Sequence, residues 1–248
     1  MNLRSLFLVL SLIFISCTQD PIVRVEPLEP AKVDTTEVIV NQFIDLATTD
    51  GVYVPVKFRG TIKVYLDTSI NEVDSQIIYD LANKIVQEVG KEFISFEYTN
   101  DINDYHIGMV YGGPEYGNSV FGNVFNTDTD WWGAVTGGNN CTDMRVRYGW
   151  YNRHNPTLIK HEFLHAIGLG HASSGNSIMY HNITDASTDI TFEDISVIKL
   201  LYYKGVYGEM VPPLENPDDC SYDYRHLSED ELGELKDFIR LIVDNDYF

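Results

Sequence analysis

Residues 161–171 read HEFLHAIGLGH, and the spacing of the histidines in this stretch is the most informative pattern in the 248-residue chain. Histidines four positions apart on a helix project from the same face, so His161 and His165 can reach one metal ion. Gly168 permits the left-handed backbone that ends a helix, after which the chain can turn and bring in His171. Three neutral imidazoles and one water form an open tetrahedral site, the arrangement of catalytic zinc. The segment therefore predicts one catalytic zinc ion bound by His161, His165 and His171.

Glu162 follows the first histidine directly, which predicts contact with a zinc-bound water rather than with the metal. In that position Glu162 is expected to take a proton from the water and pass it to the leaving amine. We therefore expect Glu162→Ala to keep zinc yet lose hydrolysis. Because the histidine ligands must be neutral, metal affinity is expected to fall below a pH of about 6.5.

The pattern HExxHxxGxxH followed by a methionine turn resembles the metzincins, and within them it is most similar to the matrixins. Residues 177–180 read SIMY and resemble the family's Met-turn, and Met179 lies eight residues after His171, as in matrixins. Residues 190–202 resemble the matrixin C-terminal helix. The similarity of pattern is close over about 155–205 and covers 61–150 only in the order of elements.

The resemblance implies an α+β fold: a twisted mixed sheet with an active-site helix and a backing helix, above a small C-terminal helical subdomain. It also implies that Met179 forms the floor beneath the metal and that substrate lies along an edge strand. The chain departs from the family in having no PRCGVPD-like cysteine switch and no calcium loops of matrixin pattern. Residues 126–130 (NTDTD) offer carboxylates for Ca²⁺, but a solvated acidic turn is the favoured interpretation.

Residues 1–17 are predicted to be a targeting segment. Arg4 gives a positive start, and residues 6–15 form an apolar run that is too short to span a bilayer, which needs about 20 residues. Cys17 directly after this run resembles a bacterial lipoprotein signal, in which that cysteine carries the lipid. We expect lipidation at Cys17 and a location on the bacterial cell envelope, with ordinary secretion as the alternative.

The rest of the chain divides into a tether or short pro-segment at 18–58 and a catalytic domain at 59–248, with 171–248 as its C-terminal subdomain. The first part holds four of the nine prolines. An apolar pattern returns at 37–46 and indicates that this stretch docks on the domain. Periodicity and capping signals predict strands at 61–67, 94–98, 105–111, 119–125 and 144–148, and helices at 71–90, 155–167, 192–202 and 228–243.

The net charge of −20 argues against nucleic acid or anionic lipid as a partner and favours solubility as its role. Cys141 and Cys220 are the two cysteines besides Cys17, and in an exported protein they predict one disulfide. Two free buried thiols remain open as the alternative. We expect a monomer that acts on a protein or peptide substrate.

Three functions fit these observations. The first is a zinc-dependent endopeptidase acting on extracellular or envelope proteins. The alternative is a non-catalytic surface binding or adhesion lipoprotein that keeps the metzincin scaffold, and the third is a peptidase restricted to one specific partner. Glu162 favours an enzyme, because a scaffold with purely structural zinc has no use for a base beside the water.

Overall fold

A computed structural model describes residues 35–49, 52–53, 58, 60–111, 133–137, 144–148, 154–202, 225–226 and 228–245. Several predicted features lie outside these residues: the signal segment 1–17 with Cys17, most of the tether 18–58, the strand at 119–125, the acidic turn at 126–130, and Cys141 and Cys220. The domain boundaries at residues 17, 58 and 171 stay predictions. Among the described helices, none has the length and apolar character needed to cross a membrane.

In the described part of the chain, five strands form a central sheet and three two-residue strands form a smaller one. In chain order the strands are β1 (Thr48–Thr49), β2 (Val52–Tyr53), β3 (Gly60–Leu66), β4 (Ile94–Thr99), β5 (Ile107–Tyr111), β6 (Gly133–Gly137), β7 (Met144–Tyr148) and β8 (Arg225–His226). The central order is β4-β3-β5-β7-β6, in which neighbouring strands are parallel except for antiparallel β6 at one edge. All residues of β5 are buried, as expected for a strand covered on both faces. The sheet is mixed, as predicted.

The described helices are α1 (Thr35–Ala47), α2 (Glu72–Val89), α3 (Pro156–Ala166), α4 (Phe192–Tyr202) and α5 (Glu229–Asp244). Helix α2 begins at Asn71, whose side chain accepts a hydrogen bond from the backbone N–H of Asp74, and ends at Gly90, where φ is 108°. Helices α2 and α3 contact each other and the central sheet. They are the predicted backing helix and active-site helix, and together with the sheet they confirm the α+β class.

Helix α1 lies within the segment predicted as a tether or pro-segment, yet it contributes to the main hydrophobic core. Its buried side chains are Ile39, Val40, Phe43, Leu46 and Ala47, and all of them are at most 3% exposed. The helix contacts both α4 and α5. Its apolar side chains therefore cover surface that the rest of the fold would otherwise expose to water.

Several elements differ from the sequence-based expectation, among them the two-residue strands β1, β2 and β8, which were not predicted. The structure adds strand β6, which falls in a region expected to be mostly loops, and it turns the apolar stretch at 37–46 into the longer helix α1. Glycine at both ends of β6 gives it little intrinsic strand preference, so its conformation depends on pairing with β7. That pairing is not visible in a local pattern.

Candidate metal centre

Helix α3 is positioned by signals at both of its ends. The side chain of Asn155 accepts hydrogen bonds from the backbone N–H groups of Thr157 and Leu158, and Pro156 occupies the first turn, where its missing N–H is no loss. After the helix ends at Ala166, Gly168 adopts a φ of 106°. The chain thus turns where the sequence predicted.

The three predicted histidines come together at this turn. The Nε2 atom of His165 lies 2.9 Å from Nε2 of His161 and 3.2 Å from Nε2 of His171. All three ligand atoms lie within 4.8 Å of one another, and in the part of the chain that the structure describes this is the one group of three or more potential metal-binding side chains. Zinc–nitrogen bonds of about 2.0–2.1 Å place tetrahedral ligands about 3.3 Å apart. The donor set therefore fits a zinc ion with small adjustments.

Backbone carbonyls orient two of the imidazoles. Nδ1 of His161 lies 2.8 Å from the carbonyl oxygen of Ile178, and Nδ1 of His165 lies 2.6 Å from that of Leu169. A carbonyl accepts a hydrogen bond, so each Nδ1 carries the proton and each Nε2 presents its lone pair to the centre. This arrangement is the one in which an imidazole binds a metal through Nε2.

Each of the three imidazoles has a lowered pKa, and burial is the main cause even though His171 is the most exposed of them. Burial lowers the pKa of His161 to about 4; the hydrogen bond to the carbonyl of Ile178 acts in the opposite direction, and the neighbouring His171 lowers the pKa further. Burial, followed by the neighbouring imidazoles, lowers the pKa of His165 well below its usual range, and burial followed by the charge of His181 lowers that of His171. Protons therefore compete with a metal ion for His161 only near pH 4, and not at the value of about 6.5 expected for an ordinary histidine.

Glu162 lies on α3 between the first two histidines, and its side chain is only 5% exposed. Met179 is fully buried in the turn that follows His171. The N–H of Ala172 donates to the carbonyl of Met179 at 2.9 Å, which ties this turn to the histidine loop. Since the carbonyl of Ile178 contacts His161, the turn lies directly beside the imidazoles.

Asp194 was missed as a supporting residue by the sequence analysis. Its carboxylate is completely buried and accepts hydrogen bonds from Oγ of Ser177 (2.6 Å), from the N–H of Ile178 (3.4 Å) and from the N–H of Thr191 (3.0 Å). It therefore holds the methionine turn against the first turn of α4. The sequence shows only an acidic residue near a helix start, where a role at the helix N-terminus is sufficient explanation.

The model of the matrixin family matches residues 72–203, just over half of the 248 residues. The chain belongs to the matrixin family. The match confirms the resemblance drawn from the histidine and methionine pattern, and it supports zinc metallopeptidase activity at the level of the family. Comparison with curated proteins gives no match.

The matched range runs from the start of α2 to just beyond α4, so it includes the histidines and the methionine turn of this matrixin. Helices α1 and α5 lie outside it. Two other histidines, His106 and His181, make described contacts outside the three-histidine cluster. His106 packs near Phe58 and accepts a hydrogen bond from the N–H of Lys63, whereas exposed His181 packs against the ring of Tyr180.

Proposed function

We propose that the chain is a zinc-dependent endopeptidase in which His161, His165 and His171 bind one zinc ion. The convergence of their three Nε2 atoms, with Nδ1 of His161 and His165 directed at carbonyls, carries this proposal. Membership in the matrixin family supports it at the level of reaction class. The low pKa of each imidazole supports it further, because neutral nitrogens are needed as ligands.

The mechanism assigns separate roles to the side chains around the metal. Zinc held by the three imidazoles would supply a water with a pKa of about 7 and a Lewis acid for the peptide carbonyl. Glu162 would take one proton from the attacking water and deliver it to the leaving amine nitrogen as the C–N bond breaks. Its burial in α3 would keep it close to the reacting groups. Met179, in the adjoining turn, would support the histidine cluster from below.

The test compares wild-type protein with Glu162→Ala and with Glu193→Ala, which removes a glutamate from α4 as a matched control. We expect one zinc per chain in all three proteins. Chelator-sensitive cleavage of a mixed peptide library should persist in Glu193→Ala and fall by about 10²–10⁴-fold in Glu162→Ala.

Wild-type rates in Glu162→Ala would refute the assigned base. Zinc without any cleavage by the wild type would instead favour a substrate restricted to one partner, or the non-catalytic adhesion module. Protein without zinc would contradict the central proposal.

We also propose that Cys17 is lipidated and that the enzyme is anchored to the bacterial envelope, where it hydrolyses extracellular or envelope proteins. The cysteine directly after the apolar run at 6–15 is the observation that supports this location. Metabolic labelling with a fatty-acid analogue should mark the wild type and not Cys17→Ser, whereas Cys141→Ser should still be marked. Label on Cys17→Ser would contradict the assignment.

A further inference from the structure

Helix α1 reaches the metal centre from outside the family match. Its residues Thr35–Ala47 precede the matched range by a wide margin, yet its C-terminal end contacts the loop that carries His171. The carbonyl of Leu46 accepts a hydrogen bond from the N–H of Gly170 at 2.5 Å. The carboxylate of Asp45 accepts one from the N–H of Ser173 at 3.3 Å and a second, short one from its Oγ.

These contacts lie on both sides of the third histidine. Gly170 directly precedes His171, and Ser173 comes two residues after it. His161 and His165 are oriented by carbonyls on their own Nδ1 atoms, whereas the contacts to α1 fix the backbone on either side of His171. The backbone around the third imidazole is therefore held by α1 as well as by the hydrogen bond from Ala172 to Met179.

The same helix is fixed to the rest of the fold at its other contacts. Nε2 of Gln42 donates to buried Asp194 at 3.2 Å, and Asp194 also holds the methionine turn. At the start of α1, Glu37 pairs with Arg240 of α5, with Nε and Oε1 at 2.5 Å. Since the apolar face of α1 belongs to the main core, the helix is a rigid support for the histidine loop.

We propose that α1 is a permanent part of the catalytic unit and that Asp45 is a positioning residue for His171. This rests on the proposed zinc site. Asp45 contacts Ser173 and acts on His171 through that residue. Residues that orient metal ligands affect metal affinity by about 10–100-fold when they are removed. The structure thus links a helix outside the matrixin match to the affinity of the matrixin metal site.

The test measures the zinc dissociation constant of the full-length protein by competition with a chromophoric chelator, beside its unfolding temperature. Asp45→Ala should raise that constant by about tenfold. Asp45→Asn should restore most of the affinity, because an amide oxygen still accepts from the hydroxyl of Ser173. Asn41→Ala is the matched control: it removes an exposed polar side chain of α1 and should leave the constant within about twofold of wild type.

Ser173→Ala supplies a second, milder route to the same contact and serves even if Asp45→Ala folds poorly. It should also weaken zinc binding. The double variant should lose little more zinc affinity than Asp45→Ala alone, since both changes remove the same interaction. Wild-type zinc affinity in Asp45→Ala and Ser173→Ala would overturn the inference, as would an equal loss of affinity in Asn41→Ala. In either case zinc binding and cleavage by the wild type would leave the proposed function standing, whereas a wild type without zinc would overturn both.

Discussion

Two regions of the molecule are held together in opposite ways. In the metal-site segment (residues 154–202), the contacts that start α3 and orient His161 and His165 join residues 2 to 17 positions apart, such as the cap at Asn155 and the carbonyl of Ile178 on His161. In the terminal helix pair (α1 and α5), Glu37 contacts Arg240 across 203 positions, and Thr36 contacts Asp244 across 208. The first region encodes its chemistry locally. The second closes the fold through contacts that only the folded chain brings together.

The largest expected effect comes from breaking the metal-site segment itself. His165→Ala removes the imidazole that lies between the other two, so the dissociation constant for zinc should rise by more than the about 10–100-fold typical of residues that only support a ligand. Zinc content and peptide cleavage should disappear together. His106→Ala is the matched control, because His106 contacts Lys63 of β3 and not the histidine cluster. This variant should keep its zinc even if it loses some stability. Full zinc occupancy in His165→Ala would contradict the three-histidine site.

A second large effect is expected in the terminal helix pair, on stability instead of chemistry. Phe43 is fully buried, and Phe43→Ala should lower the free energy of unfolding by about 3–5 kcal/mol through lost burial and the cavity left behind. Val73→Ala, at a side chain that is 71% exposed, should change it by less than about 0.5 kcal/mol. Denaturant titration of both variants makes the comparison. Equal, small effects would mean that α1 is a dispensable tether and not part of the core.

This contrast explains how far the sequence could be interpreted. The histidine spacing, Gly168 and the capping pattern at Ser228 each depend on neighbours within a few residues, so they predicted the metal cluster, the turn and the start of α5. Strand β6 and the contact of Asp45 with Ser173 could not be predicted from local sequence patterns. Strand β6 depends on pairing with β7, and Asp45 contacts a residue that is distant in the sequence. Asp194 belongs to the second group, although it lies in the metal-site segment.

Acid should lower the stability of the zinc-free protein through His161 of the metal-site segment. In the unfolded chain His161 takes up a proton near pH 6.5, but in the folded protein its pKa is about 4. Between these values the unfolded state binds more protons, so the stability of the apoprotein should fall as the pH drops from 6.5 to 4. The shift corresponds to about 3 kcal/mol for this residue.

Chemical unfolding of apoprotein at several pH values tests this expectation. In His161→Gln the stability should lose the part of its pH dependence that comes from His161. The carboxylates contribute equally to the pH dependence of both proteins. Parallel curves for wild type and His161→Gln would show that burial does not hold this imidazole neutral.

The smallest expected effect concerns the local capping signal at the start of α5. Oγ of Ser228 accepts a hydrogen bond from the N–H of Glu231, and the Glu231 side chain accepts one from the N–H of Ser228. Ser228→Ala should lower the free energy of unfolding by about 1 kcal/mol, because it leaves a helix N–H without this partner. Thermal unfolding detects a change of this size, and Ser75→Ala, inside α2, is the matched serine control and should cost little or nothing.

The ratio between the effects of Ser228→Ala and Phe43→Ala then measures how the terminal helix pair is specified. A local cap fixes where α5 begins, but it does not decide what α5 packs against. Burial of the α1 side chains and the pairing of Glu37 with Arg240 decide that. If Ser228→Ala lowered the free energy of unfolding as much as Phe43→Ala, α5 would depend on its own capping signal. The terminal helix pair would then be specified locally, as the metal-site segment is. A several-fold smaller effect places the stability of this region in its long-range contacts.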